Sequence, residues 1–169
     1  MPLIPFDQLP DRSHLWAFAA SRPLTDQEAA PFLSATDEFL TRWTAHKVPL
    51  ATSRELRHGQ FLFVAVDEEF AGASGCSIDA LVRYVRGAER KLELRLTDNS
   101  RVWFRNASGA VECVSRDEFQ QLADKGVVGE DTVVFDITIG TVGALRAGNW
   151  EVPAKRSWHA RAFSLNGSR

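Results

Sequence analysis

One short stretch of this chain has the residue types of a reactive site. Gly72-Ala73-Ser74-Gly75-Cys76-Ser77-Ile78-Asp79 follows an apolar run ended by Asp67-Glu68, and it leads into a segment of helical periodicity. Small residues at a strand-to-helix turn aim backbone N–H groups outward, and a helix N-terminus favours negative charge. Cys76 in such a turn would have its thiolate favoured, which is the chemistry of a nucleophilic or redox thiol. The backbone of Ser74, Gly75 and Ser77, with Asp67 nearby, would line a ligand pocket. The alternative is a tight turn capped by Ser74 or Ser77, with Cys76 as a small apolar filler. Asp79 opposes a second negative charge, so a reactive Cys76 needs a cation. His159 and Arg161, in Ser157-Trp158-His159-Ala160-Arg161, are the candidates, His159 as catalytic partner and Arg161 as ligand clamp. The plainer reading of that segment packs Trp158 and hydrogen-bonds His159 to backbone.

The run Phe61 to Val66 followed by Asp67-Glu68 has the shape of a Walker B strand, in which Asp holds Mg²⁺ and Glu polarises a water. That chemistry also needs a phosphate cradle of the form G-x-x-x-x-G-K-[ST]. The dipeptide Gly-Lys occurs nowhere in the sequence. Nucleotide hydrolysis is therefore not expected, and Asp67 reads equally well as a cap for the loop after it.

Composition narrows the remaining classes. The 169 residues are 44% hydrophobic, enough for one core and short for two comfortable domains, so a single domain over 1–169 with an irregular leader over 1–12 is expected. Twenty basic residues against 22 acidic ones leave a net charge of -2, which argues against bulk binding to nucleic acid. Cys76 and Cys113 make no disulfide framework, and the histidines share no metal-ligand spacing with them, so neither a metal nor a cofactor is expected. The start, Met1 to Pro10, lacks the charge and apolar core of a signal peptide, and no apolar run is long enough to cross a bilayer. The expected location is cytoplasmic, with no membrane partner.

The elements that would position these residues follow from periodicity. Leu15 to Ala20 reads as a first strand. Thr25-Asp26-Gln27-Glu28 has a capping-box pattern and opens a helix with Phe32, Thr36, Phe39 and Trp43 on one face, ending near His46, with a kink or a short first turn at Pro31. Leu50 to Arg57 and Phe61 to Val66 read as strands joined by a two-residue turn at His58-Gly59, the second strand central. Ile78, Leu81, Val82 and Val85 mark a second helix. Arg101 to Arg105 and Ala110 to Val114 form a hairpin, Ser115 caps a short helix stopped by Gly126, and Thr132 to Ile139 is rich in strand formers. The order implies an α+β fold: a ferredoxin-like βαββαβ portion with an additional C-terminal β-hairpin, short helix and strand. The tail, with Trp150, Trp158 and Phe163, is too apolar to stay in water.

These residues resemble a family of small bacterial proteins that are often labelled ABC-transporter ATPase. The resemblance runs from about Leu15 to Phe163. It is carried by Leu15-Trp16, Arg22, Trp43, Ala45-His46, Pro49-Leu50, Val66-Asp67-Glu68, Ala73 to Asp79, Asp131-Thr132, Phe135, Trp150-Glu151, Pro153 and Ser157-Trp158-His159. The string Ala-Ser-Gly-Cys-Ser-Ile-Asp is its most specific part. The chain departs from the family's pattern at Pro31, at Lys47, where the family has glycine, and at Asp136, where it has asparagine. The resemblance implies no catalytic residues, and the missing phosphate loop speaks against the ATPase label. Two readings stand from the sequence. One is a small enzyme or ligand-binding protein with its site at the 67–79 loop, acting on a small molecule. The other is a non-catalytic module whose partner is a protein. A concave pocket reaching Cys76 would favour the first, and an exposed apolar patch the second.

Overall fold

The computed structural model describes residues 3–45, 48–49, 51–67 and 75–165. In chain order the elements are β1 (His14–Ala19), α1 (Asp26–Arg42), β2 (Thr44–Ala45), β3 (Val48–Pro49), β4 (Ala51–Arg57), β5 (Phe61–Asp67), α2 (Gly75–Leu92), β6 (Arg101–Arg105), β7 (Val111–Ser115), α3 (Arg116–Asp124), β8 (Val133–Phe135), α4 (Val142–Arg146), β9 (Glu151–Pro153) and α5 (His159–Ala162). The protein is α+β, built on antiparallel sheets. Its chain divides into two compact units: Met1–Thr97 with Ile139–Arg146, and Asp98–Thr138 with Ala147–Arg169.

The first unit is organised by β5. All seven of its residues are buried, as a continuous apolar run predicts for a strand covered on both faces. It lies between β1 and β4, with Trp16 opposite Val64 on one side and Arg54 opposite Val64 on the other. Leu62, Val64 and Val66 share a core with Phe32 and Leu40 of α1 and with Leu81, Val85 and Ala88 of α2. His58 and Gly59 both have positive φ, 56° and 62°, and the Gln60 N–H closes on the Arg57 carbonyl at 3.0 Å. Such paired left-handed residues match the twist of a hairpin. The paired ends are Arg57 and Phe61, so Gln60 is an extra residue in the connection. Its side-chain amide donates to the Ala20 carbonyl.

Helix α1 begins as its sequence predicts. Thr25 Oγ1 accepts from the Glu28 N–H at 3.2 Å, and the Glu28 carboxylate accepts from the Thr25 N–H at 3.0 Å. The helix runs unbroken through Pro31, so the expected short first turn does not form. A proline at the sixth helical position removes only the bond to the Gln27 carbonyl, a loss the capped first turn tolerates. The helix also stops at Arg42 rather than near His46, which lies outside the described residues. Trp43 leaves helical geometry, and its indole Nε1 donates to the Ser77 carbonyl at 2.8 Å, a tertiary contact that overrides local periodicity.

The sheet order β1-β5-β4 is the first-third-second order of a βαββαβ fold. The strand that follows α2, however, belongs to the second sheet, of order β7-β6-β8-β9. The outer edge of β1 instead receives a bridge between His14 and Thr141 that leads into α4. There Gly143 lies so close to Asp11 that a Cβ would stand 3.0 Å from Asp11 Cβ, which only glycine avoids.

In the second unit the hairpin β6–β7 turns at Asn106, whose Oδ1 accepts from the Ser108 and Ala110 N–H groups, with Gly109 at φ 85°. Ser115 caps α3, and Gly126 follows it at φ 75°. Val102, Phe104, Phe119, Val134 and Phe163 form the core of this unit, and Trp150 is buried as well. The tail is therefore part of the fold. Among the described residues no helix is long and apolar enough to cross a membrane.

Val64 has no exposed surface. The variant Val64→Asp is expected to unfold the first unit, because an unpaired buried carboxylate costs several kcal/mol of the roughly 5–15 kcal/mol that holds a typical domain. Circular dichroism melting checks this. An unchanged midpoint would contradict the placement of β5.

Candidate functional site

The sequence directs attention first to the 67–79 segment. Residues 68–74, including Glu68, Gly72, Ala73 and Ser74, lie outside the described residues. Asp67 ends β5, is largely buried, and has its Oδ1 3.4 Å from Arg12 Nη2. Gly75 and Cys76 are the first two residues of α2 and both are exposed. Ser77 is buried, and its carbonyl receives the Trp43 indole. The start of α2 is thus pinned to the end of α1 through backbone, while Cys76 faces solvent.

The proposed partners of Cys76 belong to the other unit. His159 and Arg161 lie in α5, in the second unit, whereas Cys76 lies in the first. His159 is fully buried and stacks on Trp158 with ring centroids 3.9 Å apart. Its Nδ1 is 2.6 Å from Ser157 Oγ, which also accepts from the His159 N–H at 3.2 Å. Ser157 Oγ therefore holds both the backbone N–H and the imidazole of His159. Burial pushes the His159 pKa down to about 4; Asp136 pulls it up and Arg116 pushes it further down. Burial thus favours the neutral ring. Its Nε2 and the Trp158 Nε1 have no hydrogen-bond partner among the described residues. Arg161 is exposed.

Cys113 has a different environment. It lies in β7, is half-buried, and its Sγ accepts from Arg101 Nε at 3.2 Å. Burial raises its thiol pKa, and the guanidinium offsets this only in part. Among the described residues no group of three or more His, Cys, Asp or Glu side chains is arranged to hold a metal.

A concave feature of the first unit lies elsewhere, between α1 and α2. This groove of about 690 Å³ has Phe32 and Ala35 on one wall, Gly87, Ala88 and Leu92 on the other, and Tyr84 beside them. Its lining is mostly apolar. Thr36 Oγ1 donates to the Phe32 carbonyl at 2.8 Å, so it accepts the Tyr84 hydroxyl proton, also at 2.8 Å. The Tyr84 ring stacks on Phe39 with centroids 4.6 Å apart and planes 8° from parallel. Tyr84 is therefore a fixed wall. Two lining residues, Glu28 and Leu92, are bridged by Arg22, which grips both Glu28 oxygens, at 2.8 and 3.0 Å, and donates to the Leu92 carbonyl at 2.9 Å. That fork holds the Glu28 pKa down to about 2.

Gly87 is the informative residue of the groove. A glycine inside a helix costs about 0.8–1.0 kcal/mol relative to alanine, so it usually marks a close approach. Here nothing approaches: the nearest atom to a Cβ at this position is Arg90 Nη2, 3.9 Å away. The missing side chain leaves space and not contact. Sequence reasoning from chemistry-bearing residues passes over this site, since its signal is an absence: Gly87 within helical periodicity, facing Pro31 and Ala35 on the partner helix.

Cys76 is exposed, while Cys113 is half-buried with its thiol pKa raised. Iodoacetamide, added to native protein near the free-thiol pKa of about 8.5, is expected to label Cys76 well before Cys113. Peptide mass spectrometry reads the two rates. Equal rates, or Cys113 first, would contradict the environments described.

No protein-family model matches the chain, nor does any curated protein or any solved structure.

Proposed function

We propose that this is a ligand-binding protein whose site is the α1–α2 groove. The observation that carries the reading is an apolar groove of about 690 Å³ kept open by Gly87, at a helix position where a side chain would meet no obstacle. Small-molecule sites range over about 300–1,000 Å³ and are largely apolar, preformed, and often placed between helices. Tyr84, fixed by Thr36 and Phe39, and the Arg22 bridge between Glu28 and Leu92 give this groove a preformed shape. The groove, and not the 67–79 loop, is the centre of the reading. The lack of a Gly-Lys cradle supports leaving nucleotide hydrolysis out of it. The first-third-second strand order supports a ferredoxin-like view of the first unit. A second reading keeps Cys76 as a reactive thiol, and its exposure in the first turn of α2 favours it.

A neutral apolar dye tests the first reading. N-phenyl-1-naphthylamine is expected to bind saturably with enhanced fluorescence. Gly87→Leu and Ala35→Leu, which fill the groove from exposed or open positions, should each weaken binding by about tenfold or more, a loss of at least 1.4 kcal/mol. Gly87→Leu should also raise the thermal midpoint, because leucine is the better helix former. Dye binding untouched by both variants would sink the reading.

A further inference from the structure

We infer that the ligand of this groove carries an anionic head, seated where α2 presents Arg83, Arg90 and Lys91 around Gly87, and an apolar chain lying along Phe32, Ala35 and Tyr84. This rests on the groove being a binding site and adds the class of molecule it takes: a small amphipathic carboxylate.

Arg83 is four residues before Gly87, and Arg90 and Lys91 are three and four after it. Residues at these separations sit on one face of a helix, one turn above and one turn below. The wall of the groove on α2 therefore reads cation, gap, cation. All three cations line the groove and all three are exposed. The Arg90 guanidinium is the group nearest the gap, with Nη2 3.9 Å from where a Gly87 side chain would begin. Among the described residues none of the three makes an ion pair.

The charges on the opposite side do not cancel them. Glu28 is the one carboxylate lining the groove, and both of its oxygens are taken by Arg22. The nearby Glu89 spends its carboxylate on the Leu96 and Thr97 N–H groups and the Thr97 hydroxyl. The lining thus carries three cations facing one neutralised acid, beside a mostly apolar surface. A guanidinium offers forked donors that match a carboxylate, and such charge-assisted bonds are the strong ones. An uncharged ligand would leave this complement unused, and a cation would be repelled by it.

The size of the groove favours a small molecule over a helical peptide. Along α1 it spans the rise from Gln27 to Ala35, about 12 Å at 1.5 Å per residue. That is roughly two turns of a helix and one medium-length acyl chain. The volume lies inside the small-ligand range, while a docked helix is itself about 10–12 Å across.

Displacement of the neutral dye from the full chain tests the inference. Decanoate and decanol have the same chain and differ at the head. Decanoate, below its micellar concentration, is expected to displace the dye about tenfold more tightly than decanol, the equivalent of 1.4 kcal/mol. The preference should shrink at about 1 M salt, since exposed charges are screened there. Arg90→Gln combined with Arg83→Gln should weaken the preference, leaving only what Lys91 supplies, while dye and decanol binding persist, which shows that the variant is folded and the groove intact. Equal displacement by the two compounds, or a preference undiminished in the double variant, would overturn the anionic head and leave the groove reading standing. Displacement by an acidic amphipathic peptide but by neither compound would assign the groove to a protein partner and overturn the proposal. A dye that binds but is insensitive to both Gly87→Leu and Ala35→Leu would remove both readings together.

Discussion

The first unit depends on the exclusion of water from one strand. Phe61 to Asp67 contributes no exposed side chain, and three of its residues, Leu62, Val64 and Val66, form the floor on which α1 and α2 rest. Burying side chains of this size stabilises by about 1.5–3 kcal/mol each, so the strand fixes where the helices can sit. The helices are then tied to one another at both ends and through Tyr84, which bonds Thr36 and stacks on Phe39. Trp43 at the end of α1 bonds the Ser77 carbonyl at the start of α2. At the other end the contacts are Arg22, Glu28 and Leu92, polar and peripheral. Between these two ties Phe32 and Ala88 are buried, while Ala35 and Gly87 are too small to meet. The groove is the consequence of a well-filled floor beneath two helices whose upper residues are small.

What was legible in the sequence was what local physics decides. The run Phe61 to Val66 announced a central strand, and Thr25 and Glu28 announced the start of α1. His58-Gly59 announced the turn and Asn106 to Gly109 the hairpin. What was not legible came from distant partners. The end of α1 is set by Trp43 reaching Ser77 across 34 positions, which no periodicity reveals. The pairing of β6 with β7 and β8, and not with the first sheet, is a choice between edges that strand propensity does not make. The site was the least legible part. Cys76 and His159 stand out by residue type, yet Cys76 faces solvent and His159 is a neutral, buried imidazole. The groove is marked by Gly87, whose meaning depends on the empty space beside it.

The charged residues divide into two kinds. Most pairs hold the chain to itself: Arg54 with Asp37 on α1, Arg105 with Glu151 across the second sheet, Arg146 with Asp11 beside Gly143. Exposed pairs of this type contribute little individually, about 0–1 kcal/mol, and their value lies in fixing geometry. Arg83, Arg90 and Lys91 differ in making no ion pair within the described residues, while Glu28 and Glu89 near them are committed. Surplus positive charge on an apolar groove is a statement about what enters it.

The ligand proposed for the α1–α2 groove is a small amphipathic carboxylate with its chain on Phe32, Ala35 and Tyr84. Intermolecular nuclear Overhauser effects between decanoate methylenes and the protein report which side chains touch it. Cross-peaks are expected from the chain to the Phe32 and Tyr84 rings and to the Ala35 and Ala88 methyls, with the carbon next to the carboxylate close to Arg90. Cross-peaks confined to other parts of the protein, with the groove protons silent at saturating decanoate, would contradict this placement.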